Sequence, residues 1–336
     1  MKVAVFDTHQ FERKFFQEEN NSFHHDLTFF ETRLTEQTAN LAGGYPCVCA
    51  FVNDRLNGKI LQTISESGTR LIALRSAGFN HVDLESARDF GLRIVRVPEY
   101  SPHAVAEHAV ALILSLNRKI HRAYGRVRES NFSLDGLVGF DLYEKTVGIV
   151  GTGRIGSVMA RIMNGFGCHV LAHDRIRNPD LEKIGVQYAD FNELLQKADI
   201  ITLHVPLTPE TRHLIGAKAL SLTKRGVMLI NTGRGTLVDT RALIQSLKTG
   251  HVGYAGLDVY EEEEGVFFED LSDQILQDDQ LARLLTFPNV LVTSHQAFLT
   301  QEALRNIAQT TLQNIMEFET GNNLSNEVCP ERNLHK

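Results

Sequence analysis

The stretch Val147-Gly148-Ile149-Val150-Gly151-Thr152-Gly153-Arg154-Ile155-Gly156 constrains this chain more than any other part of it. A strand-like apolar run leads straight into G-x-G-x-x-G, and a helical pattern follows. Gly151 permits the tight turn, Gly153 lets a ligand approach the backbone, and Gly156 allows the new helix to pack against the strand. The free N–H groups and positive dipole at such a helix start favour a pyrophosphate. Three spaced glycines alone also arise at a plain strand–turn–helix junction, so the context decides. A second strand-like run ends at His173-Asp174, and Asp174 lies 18 residues past Gly156, near the ~20 expected of an acid that hydrogen-bonds an adenosine ribose. Its carboxylate repels a 2′-phosphate and so favours NAD over NADP. The adjacent Arg175 is the feature that argues the other way.

The chain has 336 residues, beyond the roughly 250–300 at which a single core stops growing, so two domains are expected. Its net charge of −7 speaks against nucleic acid, whose phosphates call for clustered Lys and Arg. No stretch approaches the ~18 uninterrupted apolar residues of a membrane helix. The opening Met1–Asp7 is a short apolar run ending in an acid, which reads as a first strand and not as a secretory signal. Cys47, Cys49, Cys168 and Cys329 are too few and too scattered for a disulfide framework. Cys47 and Cys49 share one face of a strand, where reduced core thiols are the reading preferred over a metal or redox pair. No metal site is assigned, and a cytoplasmic location is expected.

Two α/β patterns follow one another. In the first, the strand-like runs Val3–Phe6, Cys47–Phe51, Leu71–Leu74 and Ile94–Val97 alternate with the polar segments Asn57–Ser67 and Leu84–Gly91. Strands alternating with helices imply βαβ units and a parallel sheet. Pro98 and Pro102 mark a break. A helical stretch then runs from His103 to about Val127, with Val105, Ala109, Leu112 and Leu116 on one face and Val110, Ile113 and Leu114 widening it. A helix apolar on more than one side needs more than one cover: a place between the two domains or in a subunit interface is expected, the interface being favoured, with a core helix of one domain as the plainer alternative. From Thr146 the second pattern supplies the strand-like runs Val147–Val150, His169–Ala172, Ile200–Val205, Val227–Asn231, Gly256–Val259 and Val290–Thr293. That is the strand count of a doubly wound dinucleotide fold. The tail is helical again from about Thr300 to Phe318.

In open α/β sheets, ligands bind outside the carboxyl ends of the strands. Those ends deliver Arg234 in Thr232-Gly233-Arg234-Gly235, Asp258 and the run Glu261–Glu264, and His295 after Ser294. Singly, each is ordinary: a surface arginine, a solvated acidic loop, a loop histidine. Together at one sheet edge they suit hydride transfer to a 2-keto acid. Arg234 offers a planar fork for a carboxylate. His295 offers a proton for the nascent alkoxide, and since a free imidazole titrates near ~6.5, a neighbouring carboxylate is needed to keep the donor charged.

These residues carry a resemblance. Gly151–Gly156, the Asn231–Gly235 turn, Asp258-Val259-Tyr260-Glu261-Glu262-Glu263 and Ser294-His295-Gln296-Ala297-Phe298 resemble the D-specific 2-hydroxyacid dehydrogenase family. The stretches Ala73–Asn80, Asn117–Tyr124 and His295–Thr300 are similar to its fermentative D-lactate branch. The resemblance runs along essentially the whole chain. It implies an α/β fold of two Rossmann-like, doubly wound parallel-sheet domains separated by a cleft, one flavodoxin-like and one dinucleotide-binding. It implies a discontinuous substrate domain of residues 1–100 and 299–336, and an NAD-binding domain of residues 101–298.

The same resemblance implies a catalytic set of Arg234, Glu263 and His295. It implies NAD contacts at Gly151, Gly153, Arg154, Ile155, Gly156, Asp174, Val205, Pro206, Thr211, Thr232, Gly233, Arg234 and Asp258. Ser76, Ala77, Gly78, Tyr100 and Phe298 would join Arg234 and His295 around a small 2-keto or 2-hydroxy acid. From the apolar faces of the 103–127 helix region, a homo-oligomer, dimer or tetramer, is expected. Ser76 departs from the cysteine that close relatives often carry, which puts nothing catalytic in doubt. Pyruvate reduction to D-lactate is the activity implied. Other family members act on glyoxylate or hydroxypyruvate, and a phosphoglycerate dehydrogenase commonly carries a further C-terminal domain. A formate dehydrogenase would want Gln at position 263. A corepressor-like NAD-sensing scaffold is the alternative outside enzymology.

Overall fold

Five strands make the first sheet: β1 (Lys2–Val5), β2 (Asp26–Phe29), β3 (Cys47–Ala50), β4 (Leu71–Leu74) and β5 (Arg93–Val95). Seven make the second: β6 (Thr146–Val150), β7 (His169–His173), β8 (Gln187–Tyr188), β9 (Ile200–Leu203), β10 (Val227–Asn231), β11 (Val252–Leu257) and β12 (Val290–Val292). The computed structural model describes residues 1–263 and 265–328; Glu264 and Cys329 lie outside the described residues. The strand orders are β2-β1-β3-β4-β5 and β12-β11-β10-β9-β6-β7-β8, with every pairing parallel. The first order is that of flavodoxin-like sheets, and β8-β7-β6-β9-β10-β11 reproduces the 3-2-1-4-5-6 order of dinucleotide folds. The fold is α/β with two Rossmann-like sheets.

Chain contacts divide the molecule into two units, Met1–Ser101 with the chain from Phe298 onward, and Pro102–Ala297. Ser101 and Phe298 thus fall with the first unit, each one residue from the expected border.

Parallel sheets are covered on both faces, so their strands are continuous apolar runs. β3 and β4 are buried at every position. In β1, Val3 and Val5 pack with Ala308, Leu312 and Ile315 of the Gln301–Glu319 helix, while Ala4, and Phe6 just past the strand, pack with Ile60, Leu61 and Ile64 of the Gly58–Glu66 helix. Cys47 and Cys49 share the former face as free, buried thiols. Burial pushes Cys49 up to about 11, and Cys47 upward as well, which makes both poor nucleophiles and metal ligands.

Several sequence expectations are corrected. The stretch expected as one helix over 103–127 is two helices, Pro102–Arg118 and Ile120–Arg128, broken at Lys119 in the left-handed region at φ 51°. The first is not a subunit-facing element along its apolar face: Ala106, Ala109, Val110, Leu112, Ile113 and Leu116 pack with Ile149, Met159, Met163 and Ile230 in its own unit's core. β11 starts four residues before the expected Gly256, and its start coincides with a register shift between Val227 and Met228 of β10. β2, β8 and the Gln10–Glu19 helix were not expected. β2 and β8 are edge strands with partly exposed residues. In the Gln10–Glu19 helix the buried side chains are Phe16 and Glu12, so a charged residue occupies a core position and hides the apolar period. Among the described residues, no helix is long and apolar enough to cross a membrane.

Candidate active site

The glycine turn links β6 to the Arg154–Gly165 helix. Gly151 has φ +94°, and a Cβ there would lie 2.7 Å from the carbonyl of His204, so only glycine fits. A Cβ on Gly156 would lie 1.9 Å from the Gly151 oxygen, which is the close helix–strand packing anticipated. A Cβ on Gly153, by contrast, would meet nothing within 4 Å: the backbone is open to solvent at the helix start. Arg154 is exposed there, and Ile155 packs partly on the core.

Asp174 follows β7 and closes over this turn. Its Oδ2 accepts from Thr152 N at 2.6 Å and Thr152 Oγ1 at 3.1 Å, and its Oδ1 accepts from Ile176 N at 3.2 Å. Burial works against the charge, but these hydrogen bonds outweigh it and hold the carboxyl below its ordinary range. A fixed anion at this position disfavours a 2′-phosphate.

After β9 comes Val205-Pro206. The hydroxyl of Thr211 donates to Pro206 O and accepts from Thr208 N, each at 2.7 Å, so Thr211 braces this loop. After β10, Asn231 brackets the next turn: its Nδ2 donates to Arg234 O at 2.8 Å and its Oδ1 accepts from Gly233 N at 3.1 Å. The Thr232 hydroxyl is buried without a partner among the described residues. A buried hydroxyl left unbonded costs free energy, and a polar ligand group at this turn would satisfy it. The open Gly153 backbone, the anionic Asp174 and this orphaned hydroxyl fit a dinucleotide lying along the edge of the sheet.

Arg234 is half-buried, its Nη1 donating to Gly233 O at 2.7 Å. Glu263 Oε1 lies 3.0 Å from Nδ1 of His295, and Glu263 Oε2 accepts from Tyr260 N at 3.2 Å. Nε2 of His295 has no partner among the described residues. Elsewhere in the acidic run, Glu261 is taken by His213 Nε2 at 2.5 Å, while Glu262 is exposed. Asp258, expected among the cofactor contacts, is wholly buried. Its Oδ1 accepts from Thr293 Oγ1 at 2.6 Å and Gln296 N at 2.9 Å, and its Oδ2 from Ala297 N at 2.9 Å. Burial raises the proton affinity of this carboxyl, but its donors, His108 Nε2 at 3.2 Å first among them, hold it below the usual range. Asp258 thus clamps the loop that carries His295. Sequence reasoning missed His108, because nothing local ties a residue of the Pro102–Arg118 helix to the end of β11.

In the first unit, Ser76-Ala77-Gly78 follows β4. Every carbonyl of this tripeptide is engaged: Ser76 O by Val97 N at 3.1 Å, Ala77 O by Arg96 Nη1 at 2.6 Å, and Gly78 O by Ser76 Oγ at 2.7 Å. The N–H groups of Ala77 and Gly78 have no partner among the described residues, and two such neighbouring donors suit an anion. Tyr100 and Phe298 have ring centroids 6.3 Å apart, and Phe298 also meets Phe11 and Phe51 at 6.2 and 6.5 Å. Arg75, just before the tripeptide, is fully buried and was missed; its Nη2 binds Phe6 O, Asp7 O and Glu12 Oε1 at 2.9 to 3.1 Å.

A dinucleotide-binding sheet edge carrying a guanidinium and a carboxylate-backed imidazole is the apparatus of a nicotinamide-dependent dehydrogenase. Residues 110–297 match the family model described as "D-isomer specific 2-hydroxyacid dehydrogenase, NAD binding domain", and the chain belongs to the D-isomer specific 2-hydroxyacid dehydrogenase family. It is 51% identical over 324 residues to 2-hydroxyacid dehydrogenase homolog 1 of Schizosaccharomyces pombe, covering 96% of this chain and 98% of that one. It is 50% identical over 328 residues to D-lactate dehydrogenase of Escherichia coli, covering 98% of this chain and all of the other. Among solved structures, the pyruvate reductase of Chlamydomonas reinhardtii superposes with a TM-score of 0.93 at 46% identity, over 97% of this chain and 98% of that one. The cofactor is NAD.

Proposed function

We propose that this protein is an NAD-dependent D-lactate dehydrogenase that reduces pyruvate to D-lactate. The observation that carries the reading is the Glu263–His295 pair at 3.0 Å, set on the same sheet edge as Arg234 and supported by half-identity along the full length to a D-lactate dehydrogenase. Arg234 binds the substrate carboxylate, and the N–H groups of Ala77 and Gly78 are further donors to it. His295, with Glu263 on Nδ1, presents Nε2 and protonates the ketone oxygen. NADH, when bound, supplies the hydride. Tyr100, Phe298 and Phe51 favour a small group on the keto carbon over a bulky one. The direct NAD contacts are assigned to Gly151, Gly153, Arg154, Ile155, Gly156, Asp174, Val205, Pro206, Thr211, Thr232, Gly233 and Arg234, with Asp258 acting from beneath the His295 loop.

A panel of small 2-keto acids with NADH and NADPH, with product chirality read afterwards, tests this. Pyruvate turned over fastest, to the D product, supports it. Preference for glyoxylate or hydroxypyruvate would replace it with another member of the family, and no turnover of any 2-keto acid would favour a scaffold. In the Glu263→Gln enzyme the carboxylate that holds Nδ1 of His295 is gone. The kcat for pyruvate reduction then falls at least about tenfold while the KM for NADH stays near wild type; an unchanged kcat contradicts the pairing.

The chain is assigned to fermentation in the cytoplasm, where free thiols such as Cys47, Cys49 and Cys168 persist. It is assigned a homo-oligomeric state, dimer or tetramer. The support is a set of large apolar side chains, Ile120, Tyr124, Val127, Phe132, Leu134, Val138 and Tyr143, each more than half exposed. Large apolar side chains exposed in this number along one helix and the segment after it call for a cover. Sedimentation of wild type and of the Tyr124→Glu/Phe132→Glu double variant checks it: an oligomer and a smaller species are expected, and a monomeric wild type refutes the assignment.

A further inference from the structure

Arg96 stands one residue past β5 and reaches back to the loop after β4. Its Nη1 donates to Ala77 O at 2.6 Å, and its guanidinium carbon lies 5.2 Å from the centroid of the Phe79 ring. The main chain of Arg96 is itself pinned. Its N–H donates to Asn326 O at 3.1 Å, and its carbonyl accepts from Asn314 Nδ2 at 2.9 Å. The two asparagines are joined to each other at 2.8 Å, and Asn314 is 1% exposed on the Gln301–Glu319 helix. An internal polar frame thus fixes where this guanidinium starts.

In a trans peptide the C=O of one residue and the N–H of the next lie in one plane and point in opposite directions. The Ser76 carbonyl is held by Val97 N, which fixes the direction of the Ala77 N–H. The Ala77 carbonyl is held by Arg96, which fixes the direction of the Gly78 N–H. Glycine at 78 leaves that second plane easy to rotate, and a charged donor is about twice as strong a restraint as a neutral one. We propose that Arg96 is a positioning residue for substrate: by holding the Ala77 carbonyl it aims the Gly78 N–H at the carboxylate. The inference rests on the reading above that Ala77 and Gly78 receive the substrate carboxylate.

Three variants test it with steady-state kinetics and with inhibition by oxamate, the amide analogue of pyruvate. Arg96→Met keeps the length of the stem and removes the donor. Its KM for the 2-keto acid and its oxamate inhibition constant both rise about tenfold, the size of one lost hydrogen bond to a charged group, while kcat and the KM for NADH stay within about threefold. Arg96→Lys retains one donor and recovers most of the loss. Phe79→Leu removes the ring beneath the guanidinium, keeps the donor, and leaves KM within about twofold. Unchanged KM and oxamate inhibition in Arg96→Met would overturn the proposal. So would a fall in kcat together with a rise in the KM for NADH, the mark of general disruption, or an effect of Phe79→Leu as large as that of Arg96→Met. The ratios are taken with whichever 2-keto acid the wild type turns over best. A preference for hydroxypyruvate therefore sinks the D-lactate reading without touching Arg96, and a flat ratio on pyruvate sinks Arg96 without touching the D-lactate reading.

Discussion

With glutamine in place of Arg234, kcat/KM for pyruvate falls by about 10²- to 10⁴-fold, the effect of about 3–5 kcal/mol when a two-pronged charged contact is lost. The turn itself should survive, because Asn231 holds it through the Arg234 carbonyl and the Gly233 N–H, both main-chain groups. The thermal midpoint therefore changes little while substrate use collapses. Lysine at this position restores only part of the rate, since a single ammonium cannot match both oxygens of a carboxylate at once. A value of kcat/KM within threefold of wild type would show that the carboxylate is held elsewhere.

The second large effect is expected at His295. Replacing it by glutamine removes the proton donor and lowers kcat by about 10²- to 10⁴-fold, the span typical of general acid–base catalysis. The loop around it is clamped independently of the ring. The His295 N–H donates to Asp258 O at 2.7 Å, and the Asp258 carboxylate takes Thr293, Gln296 and Ala297. His295 sits at φ 53°, a conformation that this clamp enforces and that Gln must share at modest cost. The KM for NADH thus stays near wild type. A kcat reduced by less than tenfold would mean that the proton comes from another group or from water.

What could be read in advance followed from how local each requirement is. The glycine turn was legible because its demands, a left-handed residue and two close approaches, fall within six positions. Asp174 was legible because the length of one helix and one strand sets its distance from the turn. Choosing Glu263 from four successive glutamates was not a matter of local chemistry and came only through family resemblance. The geometry gives the reason: Glu261 is spent on His213 and lies 3.4 Å from Thr240 N, partners distant in the chain. The Gln10–Glu19 helix escaped notice for the same kind of reason, since Glu12 is buried to face Arg75. The break at Lys119 carries no glycine or proline to announce it. It accompanies the buried side chain of Asn117, which leaves its helix to pair with both main-chain groups of Phe140 at 2.7 Å.

One face of the five-stranded sheet is covered by Ala308, Leu312 and Ile315 together with Phe16, and the Val328 N–H donates to Ile94 O in β5. During synthesis, β1 to β5 leave the ribosome some two hundred residues before their cover does. The unit from Pro102 to Ala297 is continuous in the chain and has all its strands in hand before the Gln301–Glu319 helix is made. In the half-built N-terminal layer, Val3, Val5, Leu71 and Val95 have only Phe16 of the Gln10–Glu19 helix over them until the last helix emerges.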